Sequence, residues 1–236
     1  MERRRTVHQI FFNFDDRTLQ DYHVFVKSAE AWNSFSGWGY KLWNEADAEI
    51  LCQSTYPQLW ETYRALRFPI QRVDLLKYMI ADKFSRSGQE TLVCDLDVLP
   101  LCHPDGIIAD RDYVFDRCTR KGIVCNDIFY VKNAGLPRLF DYFIENLARV
   151  DGIAVYEQWK MRYVFQVGGP DFLSRYIKRA GLSKHVRSIS NRTFLDAKQA
   201  RRRSVFAENA KVLVIHHLSW KLQMLETDGR APSEEP

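Results

Sequence analysis

Pro69-Ile-Gln-Arg-Val-Asp-Leu-Leu-Lys-Tyr-Met-Ile-Ala-Asp-Lys-Phe84, a polar connection, and then Thr91-Leu-Val-Cys-Asp-Leu-Asp-Val-Leu-Pro100 form the segment from which the rest of the chain is worked out. Val73, Leu76, Met79, Ile80 and Phe84 recur three and four residues apart, so residues 69–84 read as a helix with an apolar face. Asp74 and Lys77 stand three apart and share another face. The plain account of them is a surface ion pair worth well under about 1 kcal/mol. Leu92-Val93-Cys94 is apolar, too short for a helix, and reads as a buried strand ending in Asp95-Leu96-Asp97. Alternation out of a strand end puts both carboxylates on one side. At about 5 Å they repel by about 3 kcal/mol for an effective dielectric of about 20. A proton on one, water around both, or a divalent cation between them relieves that repulsion. An all-oxygen site at a strand end suits Mg²⁺ or Mn²⁺ holding a diphosphate. A solvated turn is the alternative, since many Asp-x-Asp triplets bind nothing.

Upstream, Thr6 to Phe14 is rich in β-branched and aromatic residues and reads as the first strand. Leu19, Tyr22, Val26, Ala29 and Trp32 mark a helix over 18–35, Gly37–Trp43 a second strand, and Asn44 a helix cap. Residues 57–66 read as a further helix. Downstream, Pro104, Gly106 and Asp110-Arg-Asp112 suggest an irregular stretch, and 122–132 reads as strand broken at Asn126-Asp127. Residues 136–150 read as helix. Gly168-Gly169-Pro170 starts another helix that Gly181 stops. Lys198 to Arg203 reads as a solvated basic loop, with phosphate or membrane contact as the alternative. Lys211–Leu218 reads as a late strand ending at His216-His217. The tail 226–236 is polar and reads as disordered, after a single domain over 1–225. Alternating strands and helices predict an α/β domain with a mostly parallel central sheet flanked by helices. Ligands of such sheets sit at the carboxyl ends of strands, where both the Asp-x-Asp and the His-His pair are expected.

The chain of 236 residues, 46% of them apolar, is long enough for one sizeable core. A net charge of +4 suits a phosphorylated ligand without implying nucleic acid. The five cysteines (52, 94, 102, 118 and 125) are odd in number and form no Cys-x-x-Cys, which argues against a disulfide framework or a zinc site. Together with the lack of a signal peptide or an apolar run long enough to span a membrane, this predicts a cytoplasmic protein.

Several pieces, in order, resemble glycosyltransferases with an Asp-x-Asp sugar-nucleotide site, of the type grouped as family 32 with related capsule and viral transferases. That family opens on a strand near Ile-His-Gln-Ile-Trp, here Val7-His8-Gln9-Ile10-Phe11. A Leu-Trp pair follows (Leu42-Trp43), then Ala-Asp-x-x-Arg-Tyr (Val73-Asp74-Leu-Leu-Lys77-Tyr78). The Asp-x-Asp itself, a Gly-Pro before a helix (Gly169-Pro170), and His-x-x-Ser-Trp (His216 to Trp220) come next. Two departures stand out. Lys77 replaces an arginine, turning a bidentate contact into a point charge, and the family's Gly-Gly-x-Tyr turn before the first aspartate is replaced by 85–93.

The resemblance implies a GT-A-like fold and a nucleoside-diphosphate sugar donor whose sugar passes to a hydroxyl of a glycan or other acceptor. Mn²⁺ or Mg²⁺ would bridge Asp95, Asp97, the diphosphate and His217. His8, Gln9, Ile10 and Phe11 would wall the base, beside Leu96. Asp74 would take a ribose hydroxyl or hold Lys77, and Asn126 or Asp127 a sugar hydroxyl. Trp220 and Ser219 would close the site, and Lys77 or Lys221 would neutralise the leaving diphosphate. The sugar passes through an oxocarbenium-like state, and an inverting enzyme needs a carboxylate base near the acceptor. Asp171 is the candidate, with a plain helix-dipole charge as its alternative. Two other classes stand beside this one. A haloacid-dehalogenase-type phosphohydrolase would use Asp95 as nucleophile, and a non-catalytic carbohydrate- or nucleic-acid-binding domain would use the aromatics and Arg201–Arg203.

Overall fold

The computed structural model describes residues 5–14, 17–117, 123–133, 135–151, 160–196, 201–205 and 210–215. The first half of the chain supplies β1 (Arg5–Ile10), α1 (His23–Asn33), β2 (Gly39–Trp43), α2 (Glu45–Thr55), α3 (Trp60–Ala65), α4 (Pro69–Arg86), β3 (Glu90–Cys94), β4 (Val98–Pro100), α5 (Pro104–Ile108) and β5 (Tyr113–Arg117). The second half supplies β6 (Val124–Val131), α6 (Leu139–Asp151), α7 (Lys160–Val167), α8 (Pro170–Arg179), β7 (Val186–Arg187), β8 (Ser190–Asp196), β9 (Arg201–Val205) and β10 (Val212–Ile215). A main sheet in the order β2-β1-β3-β6-β5-β7 adjoins a smaller one in the order β4-β10-β8-β9. In the main sheet β1 runs parallel to β2 and β3, and β7 parallel to β5; β6 runs antiparallel to both its neighbours. No helix among the described residues is long and apolar enough to cross a membrane.

The local signals act as their chemistry requires. The Asn44 side chain accepts the Asp47 N–H at 2.9 Å, and the Asp47 carboxylate accepts the Asn44 N–H at 3.3 Å, a reciprocal cap that starts α2. α4 opens on Pro69, and Gln71 Oε1 accepts the Phe68 N–H at 3.0 Å. α4 packs against β3, β6, α2 and α7, so it is buried on more than its apolar face. This overturns the surface-pair account of Asp74 and Lys77: both are buried.

Three other expectations change. The strand before the Asp-x-Asp stops at Cys94, and Val98 N–H donates to the Asp95 carbonyl at 3.1 Å, so Asp95 to Val98 is a tight turn carrying the chain from one sheet to the other. The stretch after Pro104 contains α5 and β5 rather than irregular chain. Part of the basic run is not a loop: Arg201–Val205 is β9, antiparallel to β8, and local composition gave no hint of a pairing settled by its partner strand. His216 to Lys221 and the tail 226–236 lie outside the described residues.

His8 shows how the sheet captures a polar residue. It is buried, Nδ1 accepts the Trp43 indole N–H at 3.0 Å, and the ring stacks on Phe84 at 5.0 Å. Burial, aided by Lys41, lowers its pKa to about 3. A depressed histidine contributes stability above its unfolded pKa and loses it on acidification, here between pH 6.5 and 3. His8→Leu should cost about 1–3 kcal/mol near neutrality, because the Trp43 N–H loses its acceptor. It should also fall off less steeply with acid. Urea unfolding across that range tests this, and parallel slopes for the two proteins would refute it.

Candidate functional site

The carboxyl ends of β1 and β3 meet a deformation in β6. Phe115 pairs with Phe129 and Asp116 with Cys125, so Asn126, Asp127 and Ile128 bulge out of the β5 ladder. On the other edge Asp127 stays in place, its carbonyl accepting the Asp95 N–H at 2.7 Å. The bulge therefore brings Asn126 and Asp127 to the Asp-x-Asp turn.

That turn is pinned from several directions. Gln9, fully buried, donates through Nε2 to the Asp95 carbonyl at 2.9 Å and to Ser28 Oγ at 3.0 Å; its Oε1 accepts the Tyr40 hydroxyl at 3.0 Å. Ser28 Oγ and the Trp32 indole N–H both donate to the Val98 carbonyl, at 2.6 and 2.8 Å. Ile215 N–H donates to the Asp97 carbonyl at 2.8 Å. The bonds that reach the turn itself are all taken by its backbone atoms, so the turn is fixed, and Asp95 and Asp97 line a cleft. Gln9→Leu should take the acceptor from the Tyr40 hydroxyl and one of the two donors, the other being the Val98 N–H, from the Asp95 carbonyl, and cost about 1–3 kcal/mol. It should also weaken nucleoside-diphosphate affinity in the presence of Mn²⁺. A lower Tm with unchanged affinity would make Gln9 merely structural.

Beneath the turn lies Lys77, 2% exposed. Its Nζ reaches Asp95 Oδ1 at 2.5 Å, Asp74 Oδ1 at 3.3 Å and the Asn126 carbonyl at 3.3 Å. An ammonium has three hydrogens, and three acceptors take them. Asp74 also accepts from Asn126 Nδ2 at 2.7 Å. Burial alone would lower the lysine pKa, but Asp95 and Asp74 outweigh it and leave it raised. Burial raises Asp74, against Lys77 and Asn126. Burial also holds Asp95 above the usual carboxylate range; Lys77 opposes this, and Asp97 and Asp127 add to it. Carboxyl groups are thus clustered at this point of the rim, and carboxylate oxygen is the donor type suited to Mg²⁺ or Mn²⁺. Among the described residues no group of three or more His, Cys, Asp or Glu is placed to hold a metal unaided.

The cleft above the turn is lined by Ile10, Phe11, Phe12, Phe14, Tyr22, Phe25, Ile70, Val73, Asp95, Leu96 and Asp97. Its empty space, counted out into open solvent, is about 620 Å³. Tyr22 stacks on Phe25 at 4.9 Å and meets Phe11 edge-on at 6.2 Å. One end is aromatic and the other acidic.

The expected residues divide accordingly. Ile10, Phe11, Asp95, Leu96 and Asp97 share the cleft. Asp74, Lys77 and Asn126 form the polar layer under it, linked to Asp95 by Lys77 and to the backbone of Asp127 through Asp95. His8 sits deeper in the sheet, enclosed by Trp43 and Phe84. Asp171 lies in the first turn of α8 and is half-buried. The turn before it approaches the polar layer: a Cβ on Gly168 would stand 3.2 Å from Asp74 Cβ, and Tyr78 donates to the Gly168 carbonyl at 2.6 Å. A Cβ on Gly169 would fall 2.9 Å from Phe165 Cα, which explains the second glycine of the pair. His217, Ser219, Trp220 and Lys221 follow β10 outside the described residues. Phe14, Tyr22, Phe25, Ser28, Trp32 and Tyr40 were not anticipated. The signal for the aromatic wall was the Phe11-Phe12-Asn13-Phe14 run directly after β1.

No family model matches the chain, and no curated protein matches it in sequence. Solved structures do. Mouse xyloside xylosyltransferase 1, in its apo form, aligns over 90% of this chain and 97% of its own with a TM-score of 0.54 at 8% identity. An active-site mutant of LgtC aligns over 97% of this chain and 98% of its own at 13% identity, with a TM-score of 0.43. The chain has the GT-A-type α/β fold of a glycosyltransferase; at 8% identity the likeness concerns architecture alone.

Proposed function

We propose that this protein is a metal-dependent glycosyltransferase that moves a sugar from a nucleoside-diphosphate sugar to a hydroxyl of a glycan or other acceptor, resembling the family 32 type. The observation that carries this reading is the pinned Asp95-Leu96-Asp97 turn at the acidic end of an aromatic cleft. The aromatic end accommodates the base, with Phe11, Tyr22 and Phe25 as its walls. Asp97 and Asp95 would hold Mn²⁺ or Mg²⁺ through carboxylate oxygen. His217, two residues beyond Ile215 in the chain, would supply a further ligand. When bound, the metal neutralises the charge that develops on the departing diphosphate.

The residues of the chain do the rest. Lys77 has its hydrogens committed, so it positions Asp95 rather than touching the diphosphate. Lys221 and the Ser219-Trp220 pair are the remaining candidates for that contact. The bond between the anomeric carbon and the diphosphate oxygen breaks with its electron pair leaving on the diphosphate. A new bond forms to the acceptor oxygen. The hydroxyl proton passes to Asp171 if configuration is inverted, or to the departing diphosphate if it is retained. The phosphohydrolase alternative has no comparable support, because the solved structure that shares this fold is that of a glycosyltransferase.

A panel of nucleotide sugars, scored for release of nucleoside diphosphate with and without Mn²⁺ or Mg²⁺, tests the reading. At least one donor should be turned over, and a chelator should abolish the release. If none is turned over, and no nucleoside diphosphate stabilises the protein in a metal-dependent way, the reading fails.

A further inference from the structure

We propose that the β8–β9 ribbon, with Arg201-Arg202-Arg203 at its edge, is a docking site for an acidic glycan acceptor. This rests on the glycosyltransferase reading. Three independent features lead to it.

The first is register. Ile215, bonded to the Asp97 carbonyl, pairs with Thr193. Arg203, Arg202 and Arg201 pair with Phe194, Leu195 and Asp196, all beyond Thr193 in the direction of the strand. The three arginines therefore stand past the level of Asp97, on the rim that carries the Asp-x-Asp turn. β9 is the outer strand of the order β4-β10-β8-β9, about 14 Å across from β4 at roughly 4.8 Å per strand. That is the span of a short oligosaccharide, not of a direct contact with a diphosphate at Asp97.

The second is side. The aromatic cleft opens between the end of β1, α1 and the start of α4. The smaller sheet begins on the other side of the turn, at Val98. On this proposal the nucleoside takes the cleft and the acceptor the side of the smaller sheet.

The third is charge. Residues 184–211 hold eight Lys and Arg (184, 187, 192, 198, 201, 202, 203 and 211) and two acids (196 and 208), a balance of +6 in a chain of net +4. The remaining residues balance to −2, so the positive charge is concentrated here. Asp196 stands opposite Arg201 and offsets one unit. Edge strands do carry isolated charges that discourage pairing with other chains. A run of three arginines goes further, because guanidinium forks match carboxylate, phosphate and sulfate groups in two-point contacts.

The test uses the full chain and two probes of equal length, a hexasaccharide containing uronic acids and a neutral glucose hexasaccharide. Binding is measured by calorimetry at about 50 mM and about 200 mM salt. The acidic probe should bind roughly tenfold more tightly, weaken with salt, and lose that advantage in R201Q/R202Q/R203Q. The Mn²⁺-dependent stabilisation by nucleoside diphosphate should be unchanged in that variant, which also reports that it is folded. R201K/R202K/R203K, which keeps the charge, should retain part of the preference. If the glutamine variant does not fold, the lysine variant and the salt dependence of the wild type decide. Equal binding of the two hexasaccharides to the wild type, or an unaltered preference in the variants, overturns the proposal. So does arginine-dependent binding of anionic vesicles or duplex oligonucleotide without binding of the acidic hexasaccharide. Absence of metal-dependent nucleotide stabilisation would instead count against the glycosyltransferase reading, whatever the hexasaccharides do.

Discussion

Asp97→Ala is expected to abolish the stabilisation that a nucleoside diphosphate gives the wild-type protein in the presence of Mn²⁺. Ligand at a hundred times its Kd stabilises by about 2.7 kcal/mol, and for a chain of this length that raises Tm by roughly 5–10 °C. The variant should show almost none of this rise. Its turnover of the best donor should fall by about 10²–10³ or more, the cost of removing one preorganised stabiliser of developing charge. Backbone bonds hold the turn: Ile215 donates to the Asp97 carbonyl, and Gln9 and Asp127 fix Asp95. The Tm without ligand should therefore change little. Asp141→Ala, on the surface of α6, serves as control and should keep the full shift. A normal metal-dependent shift in Asp97→Ala would sink the metal site.

Lys77→Met is expected to have the largest effect on stability. It removes the cation under the rim and leaves Asp74, 4% exposed, with Asn126 Nδ2 as its remaining hydrogen-bond partner among the described residues, while Asp95 keeps some contact with solvent. Removing one member of a buried pair costs about 3–5 kcal/mol, or roughly 6–20 °C in Tm. The pH dependence has a definite sign. Burial raises Asp74, with Lys77 opposing, so losing Lys77 raises it further. A carboxyl whose folded pKa lies above its unfolded value destabilises progressively as pH rises between the two, and not below them. The gap between wild type and variant should thus be widest near neutrality and narrow as pH falls toward the unfolded carboxylate pKa of about 4. Asp74→Asn combined with Lys77→Met should recover much of the loss. Urea unfolding of the three proteins decides: a gap that ignores pH, or a double variant no better than Lys77→Met, would show that the charge of Lys77 is not what matters.

Much of the architecture was legible because it rests on short-range chemistry. Asn44 capped its helix as expected, the 69–84 periodicity gave α4 within a few residues, and Gly-Gly-Pro opened α8. The aromatic and β-branched run at 6–10 formed β1, although Phe11 to Phe14 left the strand to line the cleft. Where readings failed, the deciding partner was remote in sequence. β5 and β8 carry Asp116 and Arg192 inside weakly patterned stretches, and they are strands because β6 and β10 lie beside them. Asp116 is buried there because the Ile189 N–H and the Ser190 hydroxyl satisfy it, at 3.1 and 2.6 Å.

The candidate site divides along the same line. The chain alone specified which carboxylates stand together, since the spacing of Asp95 and Asp97 and the apolar strand before them are local matters. It could also indicate that Asp74 and Lys77 share a helix face, because a helical turn relates them. Tertiary structure decided what these groups do. It buried α4 against two layers, which turned a surface ion pair into an internal one. It bulged β6 so that Asn126 faces Asp74, and it directed Lys77 at Asp95 instead of at a ligand. It set Gln9 under the turn and aligned the arginines of β9 with the rim. Burial and long-range register are properties of the assembled sheets, and the energetic weight of each polar side chain depends on them more than on its neighbours in sequence.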